Sequence, residues 1–163
     1  MTMPQLIIDK AIAESPYRVG TEADLAEPNI LLPLAVYLEH RTQLAARNDV
    51  GIWLDAGEEA EDIATFASRL PVIALNFPTF HDGRSLSNAT ILRRRFNYTG
   101  EIRAIGDVRR DQLDQMQRCG INAFEMAAGQ DLQQALASLS GFTYTYQGSI
   151  DRPAPLFRSH RHV

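Results

Sequence analysis

Cysteine is almost absent from this chain. Cys119 stands alone among 163 residues, which excludes an internal disulfide and any iron–sulfur cluster or cysteine-rich zinc site built without a partner. No apolar run approaches the roughly 20 residues that a membrane-spanning helix needs. The opening MTMPQLIIDKAIAE carries no basic stretch followed by an apolar core, so no secretory signal is expected and cytoplasm is the expected location. Several motifs are missing as well. There is no G-x-G-x-x-G after a strand, no Walker loop, no G-x-S-x-G elbow and no H-E-x-x-H, so a standard dinucleotide, P-loop, hydrolase or zincin reading has nothing to rest on. Lysine too is nearly lacking: of sixteen basic residues only Lys10 is a lysine. Arginine suits bidentate recognition of oxyanions, although composition bias also produces such a ratio.

The chain does carry charge asymmetry. Residues 1–80 hold twelve acids against five bases, while residues 81–163 hold eight acids against eleven arginines. The net charge of −4 argues against a general nucleic-acid binder, which would be basic overall. The expectation is a basic patch on an acidic body, with no nucleic-acid or membrane partner.

A regular alternation starts near position 50. Val50–Leu54, Val72–Asn76, Glu101–Ile105, Ile121–Met126 and Phe142–Tyr146 read as strands. Between them, 58–70, 85–96, the stretch after Asp107 and the stretch after Asp131 read as helices with apolar stripes at helical spacing. Pro71 and Gly120 read as terminators, Asp107 as an N-cap, and Asp131 with Gln134 as a capping box. Upstream, Leu6–Ile8 reads as a short strand, Ser15–Pro28 as loop, and a helix starts at Pro33 with Leu34, Tyr37, Leu38, Arg41, Leu44 and Ala45 on one face.

Strands separated by helices call for an α/β fold with a parallel sheet of repeated β/α units and right-handed crossovers. The chain is short for an eight-unit barrel, so an open sheet or a partial β/α barrel fits. One domain spanning 1–163 is expected, with a weakly patterned lead over about 1–30 and an extended tail over about 147–163.

In such a fold the loops leaving the strands gather at one end of the sheet, where ligands bind. The loop 76–84 supplies His81, Asp82, Gly83 and Arg84: a base, an acid, a residue that lets backbone approach a ligand, and a guanidinium. The loop 106–112 supplies Asp107, Arg109 and Arg110. Together these residues can form an anion pocket for a small metabolite. Each also has a plainer reading, Asp82 or Ser85 as a cap and the arginines as solvated. Arg93–Arg95 reads as a solvated face. Cys119, on the stripe with Leu113 and Met116, reads as an inert core thiol. A self-associating scaffold is a third reading, with Val50–Leu54 or Phe142–Tyr146 as the exposed surface.

F-x-DGR-x-x-S at 80–87, LRRRFNYTGEIRAIGDVRRDQ at 92–112, RCG-x-x-AFE at 118–125 and PLFR at 155–158 resemble a bacterial domain-of-unknown-function family. Its members are often labelled oxidoreductases and are commonly encoded beside the sulfite reductase haemoprotein and other assimilatory sulfate-reduction enzymes. The resemblance implies an accessory protein of sulfite reduction that helps deliver electrons to the reductase or assemble it, with the haemoprotein as partner. It names no cofactor and no catalytic residues. The positions matching its motifs are Asp82, Gly83, Arg84, Gly106, Asp107, Asp111, Gln112, Arg118, Cys119 and Gly120.

Overall fold

The computed structural model describes residues 3–79 and 83–140. The predicted strand Phe142–Tyr146 and the tail lie outside these residues, as do His81 and Asp82.

Eight strands form one sheet. They are β1 (Gln5–Ile8), β2 (Ala11–Glu14), β3 (Arg18–Val19), β4 (Ile30–Pro33), β5 (Val50–Leu54), β6 (Val72–Phe77), β7 (Glu101–Gly106) and β8 (Ala123–Phe124). Their spatial order is β2-β1-β8-β7-β6-β5-β4-β3. From β3 to β8 all pairings are parallel, and each strand lies beside its neighbour in sequence. β1 and β2 form an antiparallel hairpin set against β8. When every crossover steps the same way with the same hand, the connecting segments cover one face and the sheet curls. The sequence-based α/β parallel sheet is therefore present, in its partial-barrel form.

The curl can be gauged from the chain itself. A flat sheet of eight strands would hold its edges roughly 34 Å apart at about 4.8 Å per gap. Yet the two edge strands, β2 and β3, are joined by Ser15, Pro16 and Tyr17 alone, a link that reaches about 15 Å at most.

The strand alternation separates two cores. Ile52 and Leu54 of β5, Ile73 and Leu75 of β6, and Ile102 and Ala104 of β7 join the main core with the helices. The intervening residues face the concave side, where Leu31, Val72, Ala74 and Ile105 pack with Tyr17 and Trp53. The helices are α1 (Leu34–Glu39), α2 (Arg41–Leu44), α3 (Arg84–Arg94), α4 (Leu113–Arg118) and α5 (Leu132–Ser140). α5 packs beside α4 and over the N-terminal hairpin.

Several sequence expectations need correction. The predicted helix over 58–70 is two 3-10 turns, Ala60–Ile63 and Ala67–Arg69. Its stripe survives, because Ala60, Ile63, Phe66, Ala67 and Leu70 are all buried. The Asn88 side chain of α3 accepts from the Ala60 N–H at 3.0 Å and donates to the Glu58 carbonyl at 2.8 Å. Tertiary bonds thus satisfy backbone groups that a helix would have paired locally. The helix from Pro33 breaks at His40 and leaves Leu38 exposed. The lead holds β2, β3 and a 3-10 turn at Glu22–Asp24, which had read as loop or were unassigned. Ile121–Met126 contracts to the two residues of β8. Val50–Leu54 cannot be an exposed docking edge, since β5 is paired on both sides and only Trp53 in it is not buried.

Arg93 is not solvated either. Its guanidinium donates to the carbonyls of Gly120, Tyr98 and Gly100 and to Asn122 Oδ1 at 2.7–3.1 Å. It fastens the end of α3 to the strand-entry side of the sheet. Arg94 and Arg95 are exposed as expected.

Candidate functional site

The C-terminal ends of β5, β6, β7 and β8 converge on the loops that the sequence singles out. Ser85, at the start of α3, is 1% exposed and donates to the Asn76 carbonyl at 2.8 Å. It therefore ties α3 to β6 rather than capping the helix. Gly83 occupies the N-cap position at φ −91, and a Cβ there would meet nothing within 4 Å. The described residues give Gly83 no steric reason to be glycine.

Arg84 is the exposed first residue of α3 and borders a cleft of about 440 Å³ together with Glu58, Glu59, Glu61 and Ser87. This cleft sets one guanidinium against three carboxylates. Arg109 and Arg110 border a different cleft, of about 340 Å³, with Asp111, Gln130 and Asp131. The three arginines thus border two separate concavities and do not line one pocket.

Asp107 does not cap a helix. A 3-10 turn at Arg110–Gln112 precedes α4, with Arg109 at its N-cap position. The Asp107 carboxylate instead accepts from Arg109 Nε at 2.9 Å, and its backbone N–H donates to the Phe77 carbonyl at 2.7 Å. Gly106 before it has φ +91, and a Cβ there would lie 2.5 Å from both Asn76 Oδ1 and the Phe77 carbonyl oxygen. The close approach of β6 and β7 at this point is open only to glycine. Asp131 does cap: its carboxylate accepts from the Gln134 N–H at 3.0 Å. Arg110 reaches Gln134 Oε1 at 3.3 Å, which places its guanidinium near the start of α5.

The concave face below these loops holds residues that the sequence reading passed over. Pro33, Trp53, Ala74, Arg103 and Ala123 form one lateral row across five strands. Arg103 is wholly buried, and each of its three guanidinium nitrogens has a partner. It donates to Glu101 Oε1 at 2.7 Å, to the Tyr17 carbonyl at 2.9 Å and to Ser15 Oγ at 2.6 Å, and Glu125 lies at 3.9 Å. Burial, with Asp49 and Glu101 nearby, pushes the Tyr17 phenol above its ordinary range. Above the row, Asn76 donates to Asp55 Oδ1 at 3.0 Å. The Trp53 indole N–H is buried with no acceptor among the described residues. Alternation within Glu101–Ile105 places Glu101 and Arg103 on one face, a signal that the sequence does contain.

Cys119 sits half-buried at the C-cap of α4, packed against the main core, and Gly120 follows in the left-handed region at φ +107. The expected stripe and terminator are both present, with the thiol less enclosed than its spacing suggested.

Among the described residues no helix is long and apolar enough to cross a membrane. No curated protein matches the chain. The model of the bacterial family of unknown function DUF934 matches residues 51–157, a span from β5 through every strand-end loop described above. The chain belongs to that family.

Proposed function

We propose that the chain is an accessory protein of assimilatory sulfite reduction, engaging the sulfite reductase haemoprotein and assisting either electron delivery to it or its assembly. The observation that carries this reading is family membership over 51–157, joined to the motifs by which the sequence resembles proteins encoded beside that reductase. Placement of those motifs supports it. Gly106, Asp107, Asp111 and Arg84 lie at the strand ends, the face on which α/β folds set their functional groups. The charge difference between the acidic residues 1–80 and the basic residues 81–163 suits electrostatic steering of a partner.

The test is capture of the purified haemoprotein by the full chain, paired with growth of a deletion strain on sulfate as sole sulfur source. Association and a sulfate-specific growth defect are expected. No association together with unimpaired growth overturns the proposal. A flavin or haem absorption band in protein purified from its own host would select electron delivery over assembly.

A second reading rests on the cleft lined by Arg109 and Arg110 beside the N-terminus of α5. Guanidinium groups at such a place suit a small oxyanion. Titration with inorganic sulfite and phosphate tests it, and equal binding by wild type and Arg110→Ala would remove it.

A further inference from the structure

Among the described residues, one imidazole and two carboxylates bring three donor atoms together. A carboxylate oxygen of Glu22, one of Glu39 and a ring nitrogen of His40 all lie within 4.8 Å of one another. Glu22 opens the 3-10 turn after β3, Glu39 is the last residue of α1, and His40 is the joint between α1 and α2. Their spacing along the chain matches no metal motif, and only the fold assembles them. Consecutive side chains on an unbroken helix diverge by about 100°. Here the helix is interrupted at His40, whose backbone has φ −102 and ψ 18, and the donors of Glu39 and His40 converge. Both supports are fixed. The Asp24 carboxylate accepts from the Thr21 N–H at 2.9 Å and pins the turn that carries Glu22, while the His40 N–H donates to the Val36 carbonyl at 3.1 Å.

Two observations point to an ion between these groups rather than to a surface pair. His40 Nε2 stands 3.5 Å from Glu22 Oε1. That is the outer limit of a hydrogen bond, whose ordinary N–H···O length is about 2.9–3.0 Å. It is close to the ~3.3 Å that separates ligand atoms around a tetrahedral zinc with bonds of about 2.0–2.1 Å. The charges are also unbalanced. Two carboxylates share the place, which disfavours the charged form of each, yet among the described residues neither has an arginine or lysine partner. The arginines closest in sequence are engaged elsewhere: Arg18 holds Asp24 Oδ1 at 3.1 Å, and Arg41 lies over the Phe66 ring at 4.7 Å. The donors are open to solvent. The side chains of Glu22 and His40 are 65% and 25% exposed, and Glu39 is exposed as well.

We propose that Glu22, Glu39 and His40 bind one divalent transition-metal ion, zinc by the character of the donors, and that the ion clamps the 3-10 turn after β3 to the α1–α2 joint. An imidazole with two carboxylates suits zinc, whereas calcium and magnesium take oxygen ligands. Three protein ligands leave a fourth position for water. All three residues precede the span that the family matches, so the site goes beyond the function proposed above and does not depend on it.

The experiment strips the full chain of metal with a chelator and titrates it with zinc chloride by calorimetry, while NMR of the imidazole nitrogens reports where the ion lands. The chain has four histidines, so the ring signals distinguish His40 from His81, His160 and His162. Saturable binding that shifts the His40 ring is expected, with magnesium and calcium chloride about tenfold weaker or worse. His40→Ala and Glu22→Gln should each weaken zinc binding by about tenfold or more, the loss that removing even an outer partner of a metal ligand produces. Zinc should raise the melting temperature of the wild type and not that of either variant. Without zinc both variants should melt like the wild type, because exposed positions tolerate substitution. That comparison separates a lost ligand from a lost fold. No saturable zinc binding, binding unchanged in both variants, a shift confined to the other three histidines, or magnesium or calcium bound as tightly as zinc would each overturn the proposal.

Discussion

A wholly buried guanidinium needs a reason, and at Arg103 the reason is the link between the sheet edges. Its bonds to Ser15 Oγ and the Tyr17 carbonyl hold the only three residues that join β2 to β3. Arg103→Met keeps the volume but leaves Glu101 without its partner and the link without its donor. Breaking one side of a buried ion pair costs about 3–5 kcal/mol, and a loss of that size is expected in denaturant unfolding. Adding Glu101→Gln should restore part of it, since the orphaned charge is then removed. Tyr98 shows a different dependence. Its hydroxyl donates to the Leu70 carbonyl at 2.8 Å, and burial raises its phenol well above the ordinary value of 10.0. The folded chain therefore keeps a proton that the unfolded chain releases near pH 10. The associated stability is full below that pH and declines as pH rises beyond it. Tyr98→Phe should cost about 1 kcal/mol at neutral pH and flatten the alkaline side of the stability–pH curve.

At the scale of elements, the end of β6 leaves no room for a side chain where Gly106 ends β7. Gly106→Ala meets both a positive φ and two oxygens at 2.5 Å from its Cβ. A loss of about 2 kcal/mol or more is expected, with displacement of Asp107 and hence of its pair with Arg109. Gly57→Ala, where a Cβ meets nothing within 4 Å, should change stability by about 0.5 kcal/mol or less. Thermal melts of the two variants side by side check the contrast. The legibility of the elements follows the same local logic. Val50–Leu54 and Val72–Phe77 are apolar on both faces and bounded by turn residues, so they can be read without a fold. β3 and β8 are two residues each, too short for any periodicity. The 58–70 segment has a helical stripe, yet Asn88, far along the chain, takes over its backbone bonds.

For the molecule as a whole, the parallel alternation was legible from β5 onward and the curl of the sheet was not. The alternation depends on neighbours in sequence. The curl depends on β1 meeting β8 and on Arg103 reaching Ser15, contacts that no local pattern encodes. The candidate site divides the same way. The strand-end loops were found by position, but their side chains separate into two clefts because loop paths are set by packing.

The pairing of Ile7 with Phe124 also orders events in time. The β1–β2 hairpin is synthesised before the strand it docks on, which emerges more than a hundred residues later. At about 5–20 residues per second, the hairpin waits roughly 6–23 s with Leu6 and Ile7 uncovered, and a two-stranded hairpin alone is marginal in water. The hairpin is thus made well before the strand that secures it, and during synthesis it stands open to chaperones and proteases.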